Sequence, residues 1–118
     1  MNIRAFLRSV LLDPEIISLT GDGTVHFLHA VAPVIPYIEY AIYDENGALY
    51  AEGIETATDY YIQADIFSKG DYTVLEDAIK IKMANAGFVR SSGADLYEPE
   101  PIDLYHKAMR FTFTTNTI

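Results

Sequence analysis

The stretch Val31-Ala32-Pro33-Val34-Ile35-Pro36-Tyr37-Ile38-Glu39-Tyr40 leads into the first long strand that the sequence predicts. Pro36 fixes its own φ and restricts Ile35 to extended geometry, so the chain is directed into a strand at Tyr37–Asp44. Because strand side chains alternate between faces, one face of this strand carries Ile38, Tyr40 and Ile42. Around it the sequence predicts a helix and loop before the strand. After it come a hairpin, a strand, a helix, a long loop and a final strand.

The segment before this strand predicts two helical turns and a short strand. Ile3–Leu12 has apolar residues at helical spacing, and Asn2 is available as its N-cap. Asp13 and Pro14 have the residue types of an N-cap and a first helical position, so a second short helix follows. Val25–Ala30 is predicted as a short strand.

The segment after this strand predicts a hairpin and a long strand. Asn46-Gly47 is the strongest short hairpin signal, since both residues tolerate positive φ. We therefore expect Ala48–Glu52 to return antiparallel to Tyr37–Asp44. Thr56–Phe67 follows as a strand whose inner face carries Tyr60, Ile62, Ala64 and Ile66.

The last third of the chain predicts the main helix and the final strand. Thr73 and Glu76 have the spacing of a capping box, so we expect a helix over Thr73–Ala86, with Gly87 just beyond its end. Ser91–Pro101 is predicted as a mobile loop, and Asp103–Thr115 as the last strand.

Together these elements predict one α+β domain over residues 1–118. We expect a mixed, mainly antiparallel sheet with the main helix and the N-terminal helix packed on one face. The predicted core includes residues from both helices and two strands: Phe6, Val10, Ile62, Ile66, Leu75, Ile79, Phe111 and Phe113.

Composition limits the classes of function. The 118 residues carry a formal net charge of −9, which argues against a surface that neutralises phosphates or binds an anionic membrane. The chain has no cysteine, so disulfides, thiolate metal sites and cysteine nucleophiles are excluded. Its first residues are too charged for a signal peptide, so we expect a protein made and kept in the cytoplasm or built into an assembly there.

No pattern of polar residues predicts catalysis, a metal or a cofactor. His26 and His29 are three apart in a predicted strand and so point to opposite faces, and His106 is distant in sequence. Glu98 and Glu100 lie in a Pro-spaced acidic segment, which is more often solvated than catalytic. The exposed tyrosines have two open interpretations, solvent-facing rings or interface anchors, because Tyr is enriched at interfaces.

Several phrases, in order, resemble the tail terminator proteins of long-tailed bacteriophages, the minor tail protein U type. These are the Asp13-Pro14-Glu15-Ile16 turn after an apolar helix, the Pro36–Tyr40 strand, Tyr61–Ser68, and Tyr105–Phe111, in which basic residues precede an aromatic one. The resemblance covers nearly the full length. It implies a non-enzymatic protein of a phage or prophage, found in the virion tail and in the host cytoplasm during assembly.

The resemblance also implies partners. The family forms a ring, usually hexameric, that caps the tail tube protein and joins it to the head-completion protein, and a free subunit can be monomeric. DNA would pass through the ring without specific binding, with no membrane involved. Candidate interface residues lie on the hairpin edge and in the acidic loop: Tyr43, Asn46, Tyr50, Asp95, Tyr97, Glu98 and Glu100.

Two alternatives remain open at this point. The chain is also compatible with another head–tail connector component, such as a neck or head-closure protein. A small ligand-binding α+β domain is the third interpretation, and it requires a concave pocket with convergent polar groups.

Overall fold

The computed structural model describes residues 1–116, in which one five-stranded sheet is combined with three helices. The elements in chain order are α1 (Ile3–Leu11), α2 (Pro14–Ile17), β1 (His26–Phe27), β2 (Tyr37–Ala51), β3 (Ile54–Ser68), α3 (Thr73–Asn85), β4 (Val89–Glu98) and β5 (Leu104–Asn116). The strand order is β1-β2-β3-β5-β4. The β1–β2 pair is parallel and the other pairs are antiparallel, so the predicted mixed α+β fold is confirmed. The predicted domain 1–118 extends two residues beyond the described range.

The two N-terminal helices begin at the predicted caps. The Asn2 side chain accepts a hydrogen bond from the Ala5 backbone N–H at 3.1 Å, which satisfies one of the unpaired donors of α1. Asp13 Oδ1 accepts from the Glu15 N–H at 2.9 Å, and Pro14 occupies the first turn of α2. The predicted strand over Val25–Ala30 is shorter than expected, because only His26–Phe27 pairs with β2.

The first hairpin turns later than predicted. β2 continues through Asn46-Gly47, which pairs with β3 in mid-strand. The turn is at Glu52-Gly53, where φ is 54° and 79°, the left-handed values that a two-residue hairpin turn requires. At Gly47 the missing side chain serves another purpose, since a Cβ there would lie 2.0 Å from the Tyr50 hydroxyl. The predicted turn at Asn46-Gly47 and the separate strand Ala48–Glu52 are therefore wrong.

One face of the sheet and the three helices contribute to a single hydrophobic cluster. Its members include Leu7, Leu11, Ile16, Ile38, Tyr40, Ile62, Ala64, Ile66, Leu75, Ile79, Met83, Met109 and Phe111. Of the predicted core, Ile62, Ile66, Leu75, Ile79 and Phe111 are buried, whereas Phe6, Val10 and Phe113 are partly buried against the cluster. The predicted facing of β3 and β5 is confirmed, because their buried residues alternate as expected.

The start of α3 differs from the predicted capping box. Tyr72 occupies the N-cap position without a side-chain capping bond, and Thr73 is the first helical residue. Asp71 Oδ1 accepts from the Thr73 N–H at 2.9 Å and from its hydroxyl at 2.6 Å. Glu76 is paired with Lys80 and Lys107 rather than turned back toward the helix start, so the capping box is wrong.

The segment predicted as a loop, Ser91–Pro101, is largely the strand β4. It pairs antiparallel with β5, from Val89 opposite Thr112 to Glu98 opposite Leu104. Every residue of β4 except Glu98 is exposed, so the strand has no buried face and no alternation to detect. Its backbone hydrogen bonds to β5 form it in spite of weak strand propensity. The loop prediction is therefore wrong for residues 91–98.

Candidate assembly surfaces

The seven predicted interface residues lie in two groups separated by the middle of the sheet. The first group is on β2, and the second is on β4 and the turn after it: Tyr43, Asn46 and Tyr50, then Asp95, Tyr97, Glu98 and Glu100. Because the strand order is β1-β2-β3-β5-β4, β3 and β5 lie between the two groups. The candidate surfaces are thus different from each other and lie on opposite sides of the sheet.

Residues 44–59 form a hairpin arm that extends past the rest of the sheet. Within the described residues 1–116, β5 pairs with only its last three residues, 57–59, and β1 pairs with β2 only at Glu39 and Tyr40. The arm has no lysine or arginine, and it carries five carboxylates: Asp44, Glu45, Glu52, Glu55 and Asp59. Near its turn, Leu49, Tyr50 and Ile54 are 61%, 63% and 64% exposed. The arm is therefore acidic with an apolar tip.

The base of the arm is tied to the outer face of the sheet. The Arg110 guanidinium carbon lies 4.8 Å from the centroid of the Tyr43 ring, which also lies 6.2 Å from the Tyr61 ring. The first of these is a cation–π contact. Asn46 donates from its side-chain amide to Asp44 at 3.5 Å, so its side chain interacts within the arm. Of the β2 group, Tyr50 is thus the residue with the most available surface.

On the inner face of β4, Asp95 is held by two groups from other elements. The Tyr72 hydroxyl donates to Asp95 Oδ1 at 2.5 Å, and Lys107 Nζ lies 3.2 Å from the same oxygen. Burial, followed by the hydrogen bond to Asp95, raises the pKa of Tyr72 to about 12. The hydrogen bonds from Tyr72 and then from Lys107 lower the pKa of Asp95. Asp95 therefore anchors β4 and is not a free interface carboxylate.

Lys107 is itself buried, with 9% of its surface exposed. Its ammonium also lies 3.5 Å from Glu76 Oε1 of α3, so one charge joins β5 to both α3 and β4. A buried ammonium requires such partners, since an unpaired buried charge is costly. Lys107 shares a strand face with Met109 and Phe111, and its two carboxylate partners come from other elements that local sequence does not identify.

On the outer face, His106 connects β4 to β3. Its Nε2 lies 2.9 Å from Asp65 Oδ1 and its Nδ1 lies 2.8 Å from Glu98 Oε1. The ring stacks on Phe67 with centroids 4.3 Å apart. The hydrogen bond to Asp65 is the largest influence and raises the pKa of His106; desolvation opposes it and the bond to Glu98 adds to it. Two ionised carboxylates can both accept from this ring only when it is an imidazolium.

Of the β4 group, the most available predicted residues are Tyr97 and Glu100. Tyr97 is 52% exposed, although its hydroxyl donates to Asp103, and that bond raises the pKa of Tyr97. Glu100 is exposed in the turn after β4. Glu98 is only half-buried but holds His106, so it is not the simple solvated carboxylate that the sequence predicted.

One exposed surface is not among the predicted interface residues: the apolar loop, which we define as residues 28–35. It exposes Leu28, Val31 and Val34 by 62%, 81% and 54%. Phe27 precedes it and is 40% exposed. The sequence contains a signal for this surface, since residues 27–36 contain no Asp, Glu, Lys or Arg. The same run also forms the approach to β2.

The backbone of the apolar loop is fixed by several hydrogen bonds. The Ala30 N–H donates to Glu39 Oε2 at 2.8 Å, and the Gly21 N–H donates to the Pro36 carbonyl at 2.7 Å. A Cβ at Gly21 would lie 2.3 Å from the Ile35 carbonyl oxygen, so only glycine permits this approach. The apolar side chains of the loop are therefore exposed on a backbone that hydrogen bonds hold in place.

Comparisons with known proteins returned no match to a family model and none to a curated protein. Within residues 1–116, no group of three or more His, Cys, Asp or Glu side chains is placed to hold a metal ion. Over the same residues, no helix has the length and apolar character needed to span a membrane.

Proposed function

We propose that this chain is a tail terminator of a long-tailed phage or prophage. In this role several copies form a ring that ends the tail tube and joins it to the head connector, and the chain has no catalytic turnover. The sequence resemblance suggests the role. The observation that carries the proposal is the position of two different exposed surfaces on opposite sides of one sheet.

A closed ring requires this arrangement. Each subunit of a ring uses one surface to contact the subunit before it and a different surface to contact the subunit after it. Here the β2 side offers the apolar loop, while the β4 side offers an exposed strand. Exposed apolar side chains on both sides supply contact area that a ring would bury.

The charge supports a channel for DNA. With a formal net charge of −9, the chain has little capacity to neutralise phosphates. DNA that passes such a wall keeps most of its condensed counterions, so the release of counterions that drives binding is small. This favours passage of DNA through the ring over binding to it.

Complementation in a phage that lacks its terminator tests the proposal. We expect expression of this chain to restore tails of normal length and their attachment to heads, read in electron micrographs. A parallel phage that lacks a head-closure protein separates the two connector roles, and we expect no rescue there. Rescue of the second phage but not the first would refute a terminator role.

A further inference from the structure

Two of the exposed apolar surfaces lie at the same end of the sheet, on its two lateral edges. The loop surface consists of Phe27, Leu28, Val31 and Val34 beside β1. The β4 surface consists of Tyr97, Ile102 and Tyr105, which are 52%, 55% and 49% exposed. The residues of the loop surface are close in sequence. In the β4 surface, Tyr97 pairs directly with Tyr105 of β5.

The strand register shows that the two surfaces lie at the same end of the sheet. Tyr105 is opposite Ser68 at the end of β3, and Tyr37, the first residue of β2, is opposite Phe67. The apolar loop ends immediately before Pro36 and Tyr37. Both surfaces therefore lie at the end of the sheet away from the arm, whose turn is at Glu52-Gly53.

We infer that the loop surface of one copy packs on the β4 surface of the next copy, and that this contact closes the ring. The inference rests on the proposed function, since it names a second copy of this chain as the occupant of both surfaces. A rotation about a ring axis parallel to the strands brings these two surfaces together. No shift along the axis is needed, because both surfaces lie at the same position along the strand direction. The rotation also places β1 of one copy beside β4 of the next.

Strand direction is compatible with this contact. β1 runs parallel to β2, and each of the following neighbours in the sheet is antiparallel, so β4 runs opposite to β1. In a head-to-tail ring, β1 of the next copy therefore meets β4 in antiparallel orientation. The exposed outer edge of β4 then has a strand to pair with, which is how exposed edges are commonly covered.

The charges at the rims of the two surfaces are complementary. Arg4 lies over the Phe27 ring at 5.9 Å, and Arg8 donates to the Val25 carbonyl at 3.3 Å, so the loop surface is basic on the side of α1. The Asp22 carboxylate also borders the loop surface, because it accepts from the Val34 N–H at 3.5 Å. The β4 surface has an acidic rim that includes Glu98 and Glu100. A contact between two copies of the same surface would place like charges together, so charge favours the head-to-tail contact.

The loop surface is also prepared for binding. Its backbone is held by the Ala30–Glu39 and Gly21–Pro36 hydrogen bonds, so little ordering is needed when it binds. The arm lies at the other end of the sheet and projects along the ring axis in this arrangement. It is then placed to contact the tube or the head protein, not the neighbouring subunit.

The contact can be tested with two charge insertions on exposed side chains. Val31→Asp alters the loop surface and Ile102→Asp alters the β4 surface, and neither site is in the core. We expect each variant alone to self-associate at least about tenfold more weakly than the unmodified chain, about 1.4 kcal/mol. Sedimentation velocity at matched concentrations measures this. Tyr50→Asp, at the arm tip, is the matched control and leaves self-association unchanged.

A mixture of the two variants distinguishes head-to-tail from symmetric contact. Val31→Asp retains an intact β4 surface and Ile102→Asp an intact loop surface, so the mixture makes one good contact and stops at dimers. Unchanged association of either variant, or a mixture that assembles beyond dimers, would overturn the inference.

Disulfide trapping extends the test to a free protein that is mainly monomeric. The chain has no cysteine, so Val31→Cys and Ile102→Cys variants can be mixed and oxidised without background thiols. With one variant carrying a mass tag, we expect mixed dimers above the random proportion, and no such excess for Tyr50→Cys mixed with Ile102→Cys. A random proportion for the first pair would reject the contact. The phage complementation is independent, since trapped dimers from a chain that rescues no tail would leave this contact standing and remove the proposed role.

Discussion

β5 and β4 are neighbours in one sheet, yet different interactions hold them in place. β5 alternates buried and exposed residues, with Met109 at 0% and Phe111 at 1% exposure in the central cluster. β4 is exposed at every residue but the last, and its side-chain ties are polar, from Asp95 to Lys107 and from Glu98 to His106. The comparison indicates that burial on β5 stabilises the fold, whereas β4 is kept in register by charges and leaves its surface available for association.

The largest expected effect is at the centre of the sheet. Phe111→Ala removes a fully buried ring, and we expect the free energy of unfolding to fall by about 3–5 kcal/mol. Urea unfolding monitored by circular dichroism measures it. Leu96→Ala on β4 is the matched control, with an expected change within about 0.5 kcal/mol. Equal losses for the two variants would remove the distinction between the strands.

The next effect concerns the charge that ties β4 to α3. Lys107→Met retains the buried stem but leaves Glu76 and Asp95 without their shared ammonium, so we expect a loss of about 1–3 kcal/mol. Lys69→Met, at an exposed pair 3.9 Å from Asp103, is the control and should change stability by less than about 0.5 kcal/mol. Hydrogen exchange adds a second readout, because β4 amides should lose protection before those of β3. If the Lys107→Met protein is as stable as the parent, the ion pairs of Lys107 with Glu76 and Asp95 do not stabilise the fold.

A smaller, pH-dependent effect is expected at His106. The hydrogen bond to Asp65, and then that to Glu98, raises its folded-state pKa above the ordinary 6.5. The stability from this imidazolium is therefore fully present below about pH 6.5 and is lost as the pH rises through the folded-state value. The stability difference between the parent and His106→Asn, measured by urea unfolding across pH 5.5–8.5 (about the range in which His titrates), should decline with rising pH. His29→Asn, at an exposed site, controls for loss of a histidine. A difference that grows with pH would contradict this assignment.

The smallest effect on stability is at Glu100. Glu100→Arg changes an exposed carboxylate in the turn after β4, so we expect the free energy of unfolding to move by less than about 0.5 kcal/mol. Joining of tails to heads should nevertheless weaken, because the acidic rim of β4 is reversed. The same charge reversal at Glu98 is a poorer test, because the Glu98 carboxylate is bonded to His106. Normal joining by Glu100→Arg at unchanged stability would exclude Glu100 from the contact.

The same contrast explains what the sequence predicted. Ile62, Ile66 and Phe111 were assigned correctly because a one-sided core imposes a period of two on β3 and β5. The sequence predicts a loop at β4 because no buried face imposes a pattern on this strand. The hairpin was misplaced because Asn46-Gly47 has the residue types of a turn, while the structure uses Gly47 to fit the Tyr50 ring.

The candidate surfaces were only partly predictable. The Pro36–Tyr40 phrase located β2, but the exposure of Val31 and Val34 depends on how the loop is held by Gly21 and Glu39 from distant positions. Likewise Asp95 and Glu98 have the residue types of solvated surface positions, and their contacts to Lys107 and His106 are set by register. Local sequence does not encode either relationship.

The mass of the assembly, alone and with isolated tail tubes, tests the central claim most directly. Sedimentation velocity should show free subunits or rings without tubes. With tubes, electron microscopy should show one ring of this chain at a tube end, and tubes capped in this way should stop growing. Tubes that continue to elongate and carry no copy of the chain would contradict the account.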